Sequence, residues 1–239
     1  MPKFFSQQID GDTVTLDKDD SKHIKTVLRA EKGDKITVCD CMGTDYRCEV
    51  ISLDENVKAK ILEKIHCESE PKTKITLFQG LPKSDKMEFI IQKCVEIGVC
   101  RIVPVRNERS IAKIDNKETK KTERWQKISL SAAKQSGRGI IPNIGMPLSF
   151  KEAVAAAKEM DLAVIPYENE QDTGLKAVLK NFSGNSVAVF IGPEGGFSES
   201  EISFAVEKGV VPVTLGKRIL RTETAGPVAA AIILYELEG

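Results

Sequence analysis

The sequence predicts two domains, a small β-barrel-like domain followed by an α/β domain built on a parallel sheet. Three observations point there. Turn residues break residues 1–70 into short β-rich runs with a single helix among them. From about residue 74 the apolar spacing changes to amphipathic helices alternating with short strands. Val187–Ile191 is an unbroken apolar run, as expected of a strand covered on both faces. At 239 residues the chain falls between one and two domains at about 150 residues each. It is long enough to bury a core without disulfides.

The elements follow in order. Lys3–Gln8 and Thr13–Leu16 read as strands, and Asp19–Arg29 as a helix. Gly33-Asp34 precedes a strand at Lys35–Cys39, and Gly43-Thr44 precedes one at Tyr46–Leu53. Val57–Ile65 and Lys74–Phe78 continue that pattern. Glu70-Pro71-Lys72 then breaks it, which sets the expected domains at 1–72 and 73–239. Lys83–Ile97 reads as a helix, capped by Ser84 and stopped by Gly98. Arg101–Val105 is a strand. Asn116–Ser136 is a long helix with Ile128, Leu130 and Ala132 near its apolar side. Ser149-Phe-Lys-Glu152 is a capping box opening the helix Phe150–Glu159. Leu162–Pro166 is a strand, Gly174–Leu179 a short helix and Val187–Ile191 the buried strand. A second capping box, Ser198-Glu-Ser-Glu201, opens the next helix. Val211–Leu215 is the last strand and Thr224–Glu236 the last helix. Alternating strands and helices imply a parallel sheet.

Lys plus Arg and Asp plus Glu are 35 each, so the net charge is zero. As a single number this argues against a polyanion binder. By segment it does not: residues 1–72 carry net −3, 73–140 net +8 and 141–239 net −5. Such asymmetry points to a polyanionic partner. Met1–Asp10 has no apolar signal core, and no run approaches the roughly 18 apolar residues of a membrane span. The expected location is the cytoplasm, with no membrane contact. The six cysteines form no Cys-x-x-Cys, and there are only two histidines, so no metal site is expected. The thiols are expected to be reduced and mostly buried.

Chemistry concentrates in three places. Phe190-Ile-Gly-Pro-Glu-Gly-Gly-Phe197 runs from the buried strand through three glycines to a capped helix. Glycines let a backbone approach a ligand closely, and the helix start offers free N–H groups. Open α/β sheets bind ligands at strand carboxyl ends. Leu215-Gly-Lys-Arg-Ile-Leu-Arg-Thr-Glu-Thr-Ala225 again joins a strand to a helix, with three basic residues within five positions. Two such loops at neighbouring strand ends would form one pocket. Arg106–Ser110 and Lys134–Arg138, with Lys83 and Lys86, offer cations for phosphates. Both histidines, His23 and His66, precede the α/β part, which excludes a histidine base within it. Glu194 and Glu223 are the proton acceptors near the glycine loops.

These motifs resemble the RsmE family, 16S ribosomal RNA uracil-N3 methyltransferases of the SPOUT class. The resemblance rests on Ile191-Gly-Pro-Glu-Gly-Gly-Phe197 and Leu215-Gly-x-x-Ile-Leu-Arg-Thr-Glu-Thr-Ala225. It extends through Leu81-Pro-Lys-x-x-Lys86, Glu96-Ile-Gly98, Glu108-Arg-Ser110 and Ala132-Ala-x-Gln135-x-x-Arg138 with Pro142. His23-x-x-x-Val27-Leu-Arg29 with Gly33-Asp34 adds the N-terminal part. The resemblance implies an N-terminal PUA-like RNA-binding β-barrel and a C-terminal SPOUT methyltransferase domain with a trefoil knot. It implies S-adenosyl-L-methionine as cofactor, a homodimer, and 16S rRNA in the assembled small subunit as partner. Carried over by position, Ile191, Gly192, Pro193, Glu194, Gly195 and Gly196 form one cofactor loop. Leu215, Gly216, Ile219 and Leu220 form the other, continued by Thr222, Thr224 and Ala225, with Pro166 from a third strand.

Uracil N3 becomes nucleophilic when its proton leaves, and a guanidinium can stabilise the resulting charge. Arg221 is the expected stabiliser, and Glu223, Glu194 or water the proton acceptor. RNA contacts are expected from His23, Arg29, Lys83, Lys86, Arg106, Arg109, Ser110, Gln135 and Arg138. Two other readings stay open: a SPOUT enzyme acting on another base or a ribose 2′-OH, and a non-catalytic RNA-binding assembly factor.

Overall fold

The computed structural model describes residues 3–110 and 118–239. The expected start of the long helix at Asn116 lies outside the described residues. Contacts divide the chain into two units. One comprises Met1–Glu70 with Ala133–Ile141, the other Pro71–Ala132 with Pro142–Gly239.

The first unit is a six-stranded sheet of β1 (Lys3–Phe5), β2 (Ile9–Asp10), β3 (Thr13–Thr15), β4 (Lys35–Cys39), β5 (Thr44–Ser52) and β6 (Lys58–His66), in the order β1-β4-β5-β6-β3-β2. Only β1 and β4 pair in parallel; the other pairings are antiparallel. Alternate residues such as Val14, Ile36, Val38, Cys48, Val50 and Ala59 point into one core with Phe4, Leu16 and Ile24. Helix α1 (Lys18–His23) starts where the Asp17 carboxylate accepts the Asp20 N–H at 2.7 Å. The expected continuous helix to Arg29 changes form halfway. Ile24–Leu28 winds as a wider π turn and ends at Arg29, whose φ of 52° is left-handed. Burial pushes the Cys39 thiol up to about 12 and Cys48 up to about 11, so both stay protonated at neutral pH.

A single cut near residue 72 places 133–141 in the second domain, whereas contacts group this segment with the first unit. Lys134 pairs with Asp20, Met42 bridges to Ile140, and Glu70 adds the densest tie. Its carboxylate accepts from Arg138 Nε (3.1 Å) and Nη2 (2.7 Å), and from the Gly139 and Ile140 amides.

The second unit is a seven-stranded sheet in which every pairing is parallel. Its strands are β7 (Lys74–Gly80), β8 (Arg101–Arg106), β9 (Asn143–Ile144), β10 (Leu148–Ser149), β11 (Leu162–Pro166), β12 (Ser186–Ile191) and β13 (Val211–Val213). They lie in the order β10-β8-β7-β12-β11-β13, with β9 also on β8. The helices are α2 (Lys86–Ile97), α3 (Glu118–Gln135), α4 (Phe150–Ala157), α5 (Leu175–Leu179), α6 (Glu199–Glu207) and α7 (Thr222–Glu238). On one sheet face Phe78 and Phe190 stack at 4.7 Å and pack with Phe150, Val154, Phe197 and Ala205. On the other face lies α7, close enough that a Cβ on Gly226 would sit 3.4 Å from Leu77.

Two expectations change here. Lys74–Phe78, read with the barrel strands, is the start of β7 beside the buried β12, and Ile75–Gly80 are all buried, so it belongs to the parallel sheet. Ser84 does not cap α2: its φ of 58° puts it in a left-handed turn, and the helix begins after Asp85. Gly98, at φ 126°, does end it. Along α3 the buried positions are Trp125, Ser129, Ala132 and Ala133, while Ile128 and Leu130 are half-buried. Among the described residues no helix is long and apolar enough to cross a membrane.

Candidate active site

The site forms where β12, β11 and β13 end side by side in that order. The two glycine-bearing loops are therefore not on adjacent strands; β11 and its exit loop stand between them. After β12 the chain enters Gly192–Gly196. Pro193 packs on the end of β7, where a Cβ on Gly80 would lie 2.6 Å from the Pro193 nitrogen, so only glycine fits at position 80. Gly196 has φ +65° and turns the chain into α6.

Ser198 caps α6 in the expected capping box with Glu201. Glu201 is 5% exposed and carries more than the cap. Its Oε1 also accepts from Asn107 Nδ2 (3.0 Å) and the Glu108 amide (3.1 Å). Arg109 Nη1 donates to the Gly195 carbonyl at 3.1 Å. The 106–110 segment thus buttresses the glycine loop.

The second loop leaves β13 and turns at Gly216, φ +111°. It forms one wall of a cavity of about 450 Å³, within the range of small-molecule sites. Pro166, Leu215, Gly216, Ile219, Leu220 and Ala225 line it, as expected. Ile191–Gly196, Thr222 and Thr224 are not part of the lining. Tyr167, Glu168, Glu170, Gln171, Thr214, Lys217 and Arg218 are, and were absent from the expected set. Four of these follow Pro166 directly, so the strand-end rule applied to β11 as well would have found them. Leucine, isoleucine, proline and tyrosine side chains beside carboxylates and cations suit a ligand with an aromatic ring and charged groups. Glu170 is spent locally, accepting the Asp172 and Thr173 amides.

The two loops are tied together. Thr222, the first residue of α7, donates its hydroxyl to the Gly192 carbonyl at 2.6 Å. The fully buried Gln79 donates to that hydroxyl at 2.9 Å. Arg221 precedes α7, is exposed, and caps nothing with its side chain. Glu194 and Glu223 meet at Lys86, whose Nζ lies 3.0 Å from Glu194 Oε1 and 3.3 Å from Glu223 Oε2. Burial works to raise the Glu194 carboxyl, but backbone amides, including that of Lys83, and the Lys86 ammonium outweigh it and hold it below its ordinary value. The hydrogen bond to Glu194 in turn raises Lys86.

Five of the nine expected RNA-contacting residues are engaged within the protein. Arg138 is 2% exposed and paired with Glu70, which removes it from an RNA surface. Lys86 is held as described, Arg106 pairs with Glu118 at 2.6 Å, and Arg109 is on Gly195. Ser110 accepts the Asn107 amide. His23, Arg29, Lys83 and Gln135 are exposed.

A family model described as an RNA methyltransferase domain matches residues 68–234, and one described as an RNA methyltransferase PUA domain matches 16–62. The chain is 35% identical to the ribosomal RNA small subunit methyltransferase E of Bacillus subtilis (strain 168), over 97% of this chain and 94% of that protein. Among solved structures it is similar to a ribosomal RNA small subunit methyltransferase E from Neisseria gonorrhoeae bound to S-adenosyl methionine. There the TM-score is 0.86 and the identity 34%, covering 98% of this chain and 96% of that one. A Legionella pneumophila methyltransferase in complex with the bound cofactor SAM gives 0.83 and 31%, covering 97% and 96%.

Proposed function

The chain belongs to the ribosomal RNA small subunit methyltransferase E family, and from that premise we propose that it methylates N3 of a specific uridine in 16S rRNA, using S-adenosyl-L-methionine. The observation that carries this reading is the cavity at the ends of β11 and β13, closed by the loop that leads straight into Arg221. Pro166, Leu215, Ile219, Leu220 and Ala225 would hold the cofactor, which supplies a methyl group already activated on a sulfonium. The protein's task is then mainly positioning.

Arg221, exposed next to the lining residue Leu220 and making no capping bond with its side chain, stabilises the negative charge that spreads to uracil O2 and O4 when N3 loses its proton. The proton acceptor is one of Glu223, Glu194 and water. Because N3 is on the pairing edge, the base must be unpaired or extruded before reaction. The first unit, with exposed His23 and Arg29, and Lys83 beside the site hold the surrounding RNA.

The same reading includes a C-terminal trefoil knot, a homodimer, an assembled small subunit as substrate and a cytoplasmic location. Support for the knot is the return of Thr222, after β13, to Gly192 and Gln79 in the middle of the sheet. Support for the dimer is the exposure of Phe89 and Tyr235, 50% and 76%, on the packed helices α2 and α7. The test of the catalytic assignment is Arg221→Ala. Methylation is expected to be abolished while cofactor affinity by calorimetry stays close to wild type. Turnover within a few-fold of wild type removes Arg221 from the chemistry.

A further inference from the structure

The position of Lys86 is unfavourable on local grounds. It is the first residue of α2, where the helix dipole disfavours a cation, and the Asp85 side chain makes no capping bond there. Something else must hold the ammonium, and two carboxylates do. Glu194 comes from the glycine loop after β12, and Glu223 from the first turn of α7. Glu194 is fixed a second time by the Lys83 amide at 3.1 Å. Lys86 therefore joins three separate stretches of chain.

One of those stretches reaches the cofactor cavity, and another touches a residue that lines it. Ala225, two residues beyond Glu223, lines it. Gly196, two residues beyond Glu194, lies so near the lining residue Glu168 that a Cβ there would be 3.0 Å from its carboxylate. Glu223 Oε2, the oxygen facing Lys86, is sealed from solvent and makes no hydrogen bond, so the 3.3 Å ion pair with Lys86 is the contact that answers it. Both carboxylates thus face the same ammonium, which together with backbone amides holds the Glu194 carboxyl below its ordinary value.

We infer that Lys86 is a positioning residue that clamps Glu194 of the glycine loop and Glu223 of the first turn of α7 as structural anions, and that neither carboxylate takes the uracil proton. The inference rests on the methyltransferase reading above and narrows it. The N3 proton passes to water as the N3–H bond breaks; the N3 lone pair then forms the bond to the methyl carbon as the sulfur–methyl bond breaks, leaving neutral S-adenosylhomocysteine.

Steady-state kinetics on the full chain with 30S subunits separates the possibilities. Glu194→Gln and Glu223→Gln keep the shape of each side chain and cannot accept the proton. Both are expected to raise KM for S-adenosyl-L-methionine, by about tenfold, with kcat within a few-fold of wild type. Lys86→Met is expected to do the same, and Lys86→Arg to restore the wild-type KM. A kcat loss of about 100-fold or more in either Gln variant marks that residue as a general base and overturns the inference. An unchanged KM in all three overturns the clamp. Should Lys86→Met fail to fold, the two Gln variants decide alone. Failure of the wild-type chain itself to bind S-adenosyl-L-methionine in calorimetry sinks the underlying reading instead.

Discussion

Arg138 brings a guanidinium into a place where its side chain is 3% exposed, and Glu70 answers it with both carboxylate oxygens. Removing one partner of such a pair leaves a buried charge, at a cost of about 3–5 kcal/mol. Glu70→Gln is therefore expected to lower stability by that order in urea unfolding at pH 7. Burial opposes ionisation of Glu70, but Arg138 and the Gly139 and Ile140 amides prevail and hold its carboxyl below 4.5. The stabilisation is therefore complete above the ordinary value of 4.5 and is lost as pH falls through the lower folded-state value. Wild type and Glu70→Gln should converge in acid; a gap that stays constant down to pH 3 contradicts this. From sequence, Arg138 reads as a cation at the end of a helix in a basic segment. Nothing local reveals that Glu70, 68 residues earlier, waits for it. The same holds for Lys86. The glycine positions are different, because a residue type that permits a close approach or a positive φ is itself the signal.

At the level of elements, local chemistry was readable where it is self-contained. Both capping boxes form as their sequences predict, because donor and acceptor lie three residues apart. Ser84 misled because a serine before a helix suits an N-cap and a turn alike. The two-residue strands β9 and β10 carry too few residues to show a period. The connection between β7 and the glycine loop is a tertiary fact. Gly80→Ala would put a methyl 2.6 Å from the Pro193 nitrogen and 2.7 Å from Asn107 Oδ1, so that one of them must move. The predicted result is weaker cofactor binding in calorimetry with the sheet intact by circular dichroism. Equal affinity would show that the glycine loop can shift without affecting the cavity. Ser198→Ala removes the α6 cap and is expected to cost about 1 kcal/mol in thermal unfolding.

For the molecule as a whole, zero net charge conceals a segment of net +8, and that asymmetry suggested RNA. The fold qualifies the argument, because Lys86, Lys93, Arg106, Arg124, Lys134 and Arg138 all have carboxylate partners. Charge counted along the chain overstates charge presented to a phosphate. Among the described residues, Lys83, Arg101, Lys120, Lys121 and Lys127 of this segment are exposed and outside those ion pairs. If Lys83 meets a phosphate, Lys83→Ala lowers the slope of log affinity against log salt by about 0.7–0.9; an unchanged slope places the RNA elsewhere. The glycine-bearing motifs do not depend on this charge: the loops after β12 and β13 are tied to each other, and one of them walls the cavity. The most direct test of the central claim is mass spectrometry of 16S rRNA nucleosides from a strain lacking this gene, complemented with wild type or Arg221→Ala. The account predicts that N3-methyluridine disappears on deletion, returns with the wild-type chain and stays absent with Arg221→Ala. Persistence of N3-methyluridine in the deletion strain, or loss of a ribose methylation in its place, would contradict it.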